Sequence, residues 1–247
     1  MYLKELKKPY TKKQVESILH PLVKEWFFNK YPSFSEPQLY GVKEIHEKNN
    51  ILVSAPTGGT KTLTSFLSII NELVTLALKN KLENRVYSVY VSPLKALNND
   101  IEINLNEPLN EIKNLAKEKN LELQEIRVGV RTGDTTAYQK QKMLKIPPHI
   151  IITTPESLGL MLTSPKFYQL LKNTGWCIID EIHALAENKR GVHLSLLLER
   201  LNHISPKLCR IGLSATIEPI EEIAKYLVGE KRNCKIANIQ FSKKFDL

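Results

Sequence analysis

The residues best suited to chemistry fall in three clusters. The first is Ser54-Ala55-Pro56-Thr57-Gly58-Gly59-Thr60-Lys61-Thr62. Small residues in such a loop let backbone N–H groups point at phosphate oxygens, and a helix opening at the Lys-Thr pair adds partial positive charge. Lys61 would reach the terminal phosphates of a bound nucleotide, and the Thr62 hydroxyl would hold Mg²⁺. The pattern departs from G-x-x-x-x-G-K-[ST], because Ala55 fills the first glycine slot and Thr60 the second. Glycine is normally used where backbone must approach a ligand closely, so Thr60 predicts weakened or slowed use of the nucleotide. Gly58-Gly59 could instead let the loop shift to accommodate the threonine.

The second cluster, Cys177-Ile178-Ile179-Asp180-Glu181-Ile182-His183, is an apolar run that delivers two acids at its end. Asp180 suits a Mg²⁺ ligand, usually through water, and Glu181 suits a base that orients and deprotonates an attacking water. Alone, it is equally an ordinary strand end with two solvated acids. The third, Gly212-Leu213-Ser214-Ala215-Thr216, reads by itself as a cap, with Thr216 placed to start a helix near residue 218.

These clusters need strands and helices to position them. Short apolar runs at 51–53, 86–92, 126–131, 150–152, 176–179, 208–213 and 235–239 predict buried strands. Helical spacing predicts helices over 15–28, 36–47, 63–79, 94–119 with a break at Pro108, 138–144, 155–162, 192–201 and 218–227. Strands alternating with helices imply an α/β fold, a mostly parallel sheet with helices on both faces. Ligands in such sheets bind beyond the carboxyl ends of the strands, where all three clusters fall. Residues 1–34 are expected to be a loose basic arm and helices, and 35–247 one compact domain.

Net charge is +9, which favours a polyanionic partner, nucleic acid being the commonest, although charge alone fits a basic but indifferent surface equally well. Cys177, Cys209 and Cys234 stand far apart without metal-ligand spacing, as expected of reduced, buried thiols in a cytoplasmic protein. The most apolar helical stretch, 63–78, is interrupted by Ser65, Ser68, Asn71 and Glu72, so no membrane span is expected.

Ala55-Pro56-Thr57-Gly58 with Lys61-Thr62, then Asp180-Glu181-Ile182-His183, then Ser214-Ala215-Thr216, resembles the first RecA-like domain of superfamily 2 helicases, a P-loop domain. Longer strings narrow the resemblance to the large helicase-related (Lhr) group. They are Ser92-Pro93-Leu94-Lys95-Ala96-Leu97-Asn98-Asn99-Asp100, Arg131-Thr132-Gly133-Asp134-Thr135, Thr153-Thr154-Pro155-Glu156-Ser157-Leu158 and Asn188-Lys189-Arg190-Gly191-Val192-His193-Leu194. Leu19-His20-Pro21 and Trp26-Phe27 resemble that group's N-terminal helices.

The resemblance implies roles. Gln38 would contact adenine, although it also reads as a surface glutamine at a helix start. Pro93, Leu94, Lys95, Asn98, Arg131, Thr132, Gly133, Thr153, Thr154 and Pro155 would grip one nucleic-acid strand. Backbone N–H groups at helix starts, Thr hydroxyls, Lys95 and Arg131 suit phosphate oxygens without reading bases. In isolation Thr153 and Thr154 read as caps, and Thr132-Gly133-Asp134 as a plain β-turn. Ser214 and Thr216 would couple hydrolysis to that grip, with His183 transmitting the signal.

The implied activity is ATP-dependent movement along single-stranded or partly duplex nucleic acid, DNA favoured and RNA allowed. Such a motor needs a second RecA-like lobe, and the chain ends where the first one does. That lobe would bring arginines that stabilise charge on the transferred phosphoryl group, worth roughly 10³ to 10⁵ in rate. The polypeptide alone is therefore expected to be nearly inert as a motor. The alternative is a nucleic-acid-binding or regulatory module that keeps the fold without turnover.

Overall fold

A computed structural model describes residues 2–56, 60–93, 101–186, 189–216 and 218–239. Its strands are β1 (Leu3–Glu5), β2 (Ile51–Ser54), β3 (Ser88–Val91), β4 (Val128–Arg131), β5 (Ile150–Thr153), β6 (Trp176–Ile179), β7 (Cys209–Ser214) and β8 (Cys234–Asn238). They form one sheet in the order β1-β8-β2-β7-β6-β3-β5-β4. Every pairing is parallel, so the expected mostly parallel sheet is wholly so.

The strand sequences show why. Ile150-Ile151-Ile152 sends its outer isoleucines to one face and Ile151 to the other, and both faces are dry. Ile51 and Val53 are likewise split from Leu52, and Ile178 from Cys177 and Ile179. Continuous apolar runs of this kind satisfy two buried faces at once, which a parallel sheet with crossover helices provides. On one face lie α1 (Lys12–Glu16), α2 (Pro21–Lys30), α3 (Glu36–His46), α4 (Thr60–Leu78) and α5 (Glu107–Glu118). On the other lie α7 (Pro155–Thr163), α8 (Pro165–Leu171), α9 (Ile182–Ala186), α10 (Lys189–Ile204) and α11 (Ile220–Val228). The peripheral α6 (Ala137–Lys145) buries no residue fully.

The central helix α4 is long and apolar enough to cross a membrane by composition, yet 78% of its apolar window is buried inside the domain. It is the core helix behind the phosphate-loop sequence. Gly41 of α3 makes its close approach possible, since a Cβ there would sit 2.7 Å from Thr64 Cγ2. The α3–α4 contact therefore sets where α4 begins, and with it where Lys61 and Thr62 stand.

Three departures from the sequence reading are informative. The expected loose arm includes β1, whose Leu3 and Glu5 stand beside Cys234 and Ile236 of β8. Its three residues carry too little patterning to signal a strand. From residue 101 the helical region runs unbroken through a π-helical turn, Glu102–Asn106, and the expected break at Pro108 is instead the passage from that turn into α5. The last helix starts at Ile220 with Pro219 as its N-cap residue, so Thr216 is not its cap.

Candidate functional site

The carboxyl ends of β2, β7 and β6 lie side by side. Ser54 of β2 pairs with Ser214 of β7, and Gly212 of β7 pairs with Ile179 of β6. This register brings the three sequence clusters together. Lys61, in the first turn of α4, is 6% exposed, and its Nζ donates to the carbonyls of Ala55 at 2.7 Å and Ser214 at 3.1 Å. An ammonium has three N–H donors, so these two leave one for a ligand. Burial lowers the Lys61 pKa, while Glu181 and Asp180 oppose that by favouring its charged form. Thr62, the next residue, is also buried.

Asp180 follows β6 and is 9% exposed. Its Oδ1 accepts the Glu181 N–H at 3.0 Å, and its Oδ2 accepts the Tyr90 hydroxyl. Strand pleating explains the second bond: Tyr90 pairs with Ile178, and Asp180, two residues on, projects to the same face. Tyr90 is itself fully buried and stacked on Phe66 of α4, with ring centroids 5.3 Å apart. Burial raises the Asp180 pKa above the usual carboxylate value, and the nearby Glu181 adds to that. The Tyr90 hydroxyl works the other way by stabilising the anion. Sequence reasoning missed Tyr90, because a tyrosine in a strand looks like core and its partner lies 90 residues away.

Glu181 has φ 47°, a left-handed conformation uncommon for a non-glycine residue. The turn swings its carboxylate back toward His183, with Oε2 3.2 Å from Nε2. His183 Nδ1 accepts the Ala215 N–H at 3.3 Å and lies 3.2 Å from Ser214 Oγ. A backbone N–H can only donate, so Nδ1 is the acceptor and the proton of the neutral ring sits on Nε2, facing Glu181. His183 thus ties the acid pair to the β7 end. Thr216 is exposed beyond it.

A second set of residues lies at the ends of β3, β5 and β4. Val91, Thr153 and Arg131 stand in one row of the register. Thr153 is no cap: its Oγ1 donates to the Arg131 carbonyl at 2.7 Å and so holds the end of β4. Thr154 does cap α7, accepting the Ser157 N–H, and Pro155 occupies the first turn. Thr132-Gly133-Asp134 is a β-turn closed by the Thr135 N–H donating to the Thr132 carbonyl at 3.3 Å. A Cβ at Gly133 would meet nothing within 4 Å, so that turn faces open space.

Arg131 is 7% exposed. Its Nη1 donates to the Thr132 carbonyl at 2.9 Å, while Nε is buried without a hydrogen-bond partner and no carboxylate among the described residues pairs with it. Burial lowers its pKa. Beside this row, Arg190 at the start of α10 makes a two-pronged contact with Glu156, at 2.7 and 3.2 Å, and donates to the Pro93 carbonyl at 3.2 Å. The Arg190 hydrogen bonds, with help from the start of α7, hold Glu156 at a pKa of about 2.

Gln38 is not on the surface. It is 3% exposed in the first turn of α3, and its Oε1 accepts the Ser35 N–H at 2.8 Å. Thr60 is the exposed first residue of α4. Thr57, Gly58, Gly59, Leu94, Lys95 and Asn98 lie outside the described residues. Cys177, Cys209 and Cys234 are free and buried as expected, each thiol pushed up to about 12 by burial. The described residues contain no cluster of three or more His, Cys, Asp or Glu side chains able to hold a metal.

The family model described as DEAD/DEAH box helicase matches residues 35–223. The chain is 59% identical to the ATP-dependent helicase Lhr-Core of Methanocaldococcus jannaschii over 98% of its own length and 28% of that protein's. It is 52% identical to the Lhr-Core of Methanothermobacter thermautotrophicus over 99% of itself and 29% of that protein. It thus spans little more than a quarter of these relatives. Among solved structures, the Mycobacterium smegmatis helicase Lhr bound to ssDNA and AMP-PNP matches with a TM-score of 0.84 and 41% identity. That match covers 92% of this chain and 28% of the other. Mss116p, at 19% identity and a TM-score of 0.77 over 96% of this chain and 48% of its own, shares the fold.

Proposed function

The chain belongs to the DEAD/DEAH box helicase family, matched over residues 35–223, and we propose that it is the first RecA-like, ATP-binding lobe of an Lhr-type helicase or translocase acting inside the cell. One observation carries the reading: Lys61, the Asp180-Glu181 pair and the His183-Ser214 contact converge on adjacent strand ends. Lys61 and Ser214 are 153 residues apart in sequence, yet they meet in one parallel-sheet crevice.

In this reading Lys61 binds the terminal phosphates and Gln38 faces adenine, with residues 57–62 wrapping the phosphates. Thr62 and Asp180 would hold Mg²⁺. One hydroxyl and one buried carboxylate fit an ion that keeps most of its waters and takes phosphate oxygens. Bound there, it would neutralise charge on the phosphates. Glu181 orients the attacking water and accepts its proton, and His183 Nε2–H holds the Glu181 carboxylate in place. Through Nδ1 the same ring senses the β7 end, so a shift of Ser214-Ala215 would be felt at Glu181. Pro93, Arg131 to Gly133, and Thr153 to Pro155 bind the sugar-phosphate backbone of one strand.

The full motor requires a second RecA-like lobe, in a longer or separate chain. The test is strand-stimulated ATP hydrolysis with that lobe supplied, compared with Lys61→Ala. Equal rates for the two would overturn the reading.

Thr60 favours a second reading, in which the lobe binds nucleic acid with little or no turnover. Calorimetric titration with a Mg²⁺–ATP analogue separates the two, because no binding at millimolar nucleotide supports the second. Restored turnover in Thr60→Gly would place the deficit at that side chain.

A further inference from the structure

A cleft of about 770 Å³ opens at the opposite end of the sheet, beside the amino ends of four adjacent strands. Tyr2, Asn50, Leu208 and Asn233, which immediately precede β1, β2, β7 and β8, all line it. Among the described residues, so do five cations, Lys48, Lys207, Lys231, Arg232 and Lys235, and no carboxylate.

Two of the five are already engaged. Arg232 pairs with both oxygens of Glu199, at 2.8 and 2.7 Å. Lys48 lies over the Trp176 ring, 3.7 Å from Glu72. Lys207, Lys231 and Lys235 have no carboxylate within ion-pair distance among the described residues. Two of the strand starts are tied together across the cleft, because the Asn50 side chain donates to the Asn233 carbonyl at 3.0 Å and accepts the Arg210 N–H at 2.8 Å. Three unneutralised ammonium groups around one concave surface repel one another, and a polyanion relieves that repulsion.

We propose that this cleft is a second nucleic-acid contact, binding sugar-phosphate backbone without reading bases. Its cations are point-charge lysines on flexible stems, suited to a repeating phosphate chain more than to planar recognition of one group. The inference rests on the nucleic-acid reading above but uses none of its residues, so the two can fail separately.

The test measures fluorescence anisotropy of the full chain with a labelled single strand, and with its duplex, across a salt series. The variants are Lys207→Glu/Lys231→Glu/Lys235→Glu and its Lys→Gln counterpart, each checked for an unchanged melting curve. Charge reversal is expected to weaken binding roughly tenfold or more at low salt and to lower the salt slope by about two to three, with a smaller effect for the neutral set. Nucleotide binding should stay as in the parent. Unchanged affinity and slope for both nucleic acids would overturn the proposal. So would loss of tripolyphosphate competition alone, which would assign the cleft to a small free polyanion. Arg131→Gln in the same series tests the strand-end reading independently.

Discussion

The two halves of the strand-end crevice are built differently. At β2, β7 and β6 the charged groups are tied to neighbours: Lys61 to two carbonyls, Asp180 to Tyr90 and a backbone N–H, Glu181 to His183. At β3, β5 and β4 hydroxyls and backbone dominate, and Arg131, buried there, lacks a carboxylate partner among the described residues. The first half is a preorganised electrostatic network, in which each group's position depends on others. The second is a set of helix starts and turns with a single under-satisfied guanidinium. Chemistry on a phosphoryl group needs fixed charges at fixed places. Gripping a uniform backbone needs donors at intervals and little else.

The largest effect should come from the network. Lys61→Ala is expected to cut strand-stimulated ATP hydrolysis roughly 10²- to 10³-fold, in the range for loss of one preorganised donor to developing charge. A steady-state assay with a second lobe present checks it. If the strand affinity fell equally without nucleotide, the two halves would not be separable as drawn.

Tyr90→Phe removes one hydroxyl and keeps the stacking on Phe66. It leaves the Asp180 carboxylate short of a donor in a buried place, which costs roughly 1–3 kcal/mol. Turnover should fall roughly tenfold and the Mg²⁺ concentration for half-maximal rate should rise, with strand affinity unchanged. Parent-like Mg²⁺ dependence would show that Tyr90 is only core.

Arg131→Gln addresses the other half. Strand affinity should drop by a similar factor for every sequence tried, and the salt slope should fall by about one. ATP affinity measured without nucleic acid should not move.

The smallest effect is expected at Arg190→Ala. Exposed ion pairs contribute about 1 kcal/mol or less, so urea midpoints at neutral pH should shift only slightly. The sign with pH is defined. Glu156 has a folded pKa of about 2, below its ordinary 4.5, so the pair's contribution is present above that ordinary value and fades as pH falls toward 2. The gap between parent and variant midpoints should therefore close over that interval.

Much of the molecule was legible in the chain. Runs such as Ile150-Ile151-Ile152 announce strands buried on both faces, and the α/β rhythm announces a parallel sheet. β1, α8 and α9 were not legible, being three, seven and five residues long, too short for periodicity to register. In the site, Lys61, Asp180 and Glu181 were readable because their chemistry is carried by contiguous motifs. Tyr90 and Arg190 were not assigned roles, because their partners, Asp180 and Glu156, are distant in sequence.

By itself, then, the sequence determined which residues could do phosphate chemistry and that each would stand at the end of a strand, since motif and strand are contiguous. Only the tertiary structure decided which strand ends are neighbours, and hence that Ser214 meets Lys61 and His183 while Arg131 stands apart with Thr153. Strand order is set by packing both sheet faces and by crossover connections, which act between residues far apart in the chain. The same long-range packing gathered Lys207, Lys231 and Lys235 into one cleft at the far end of the sheet.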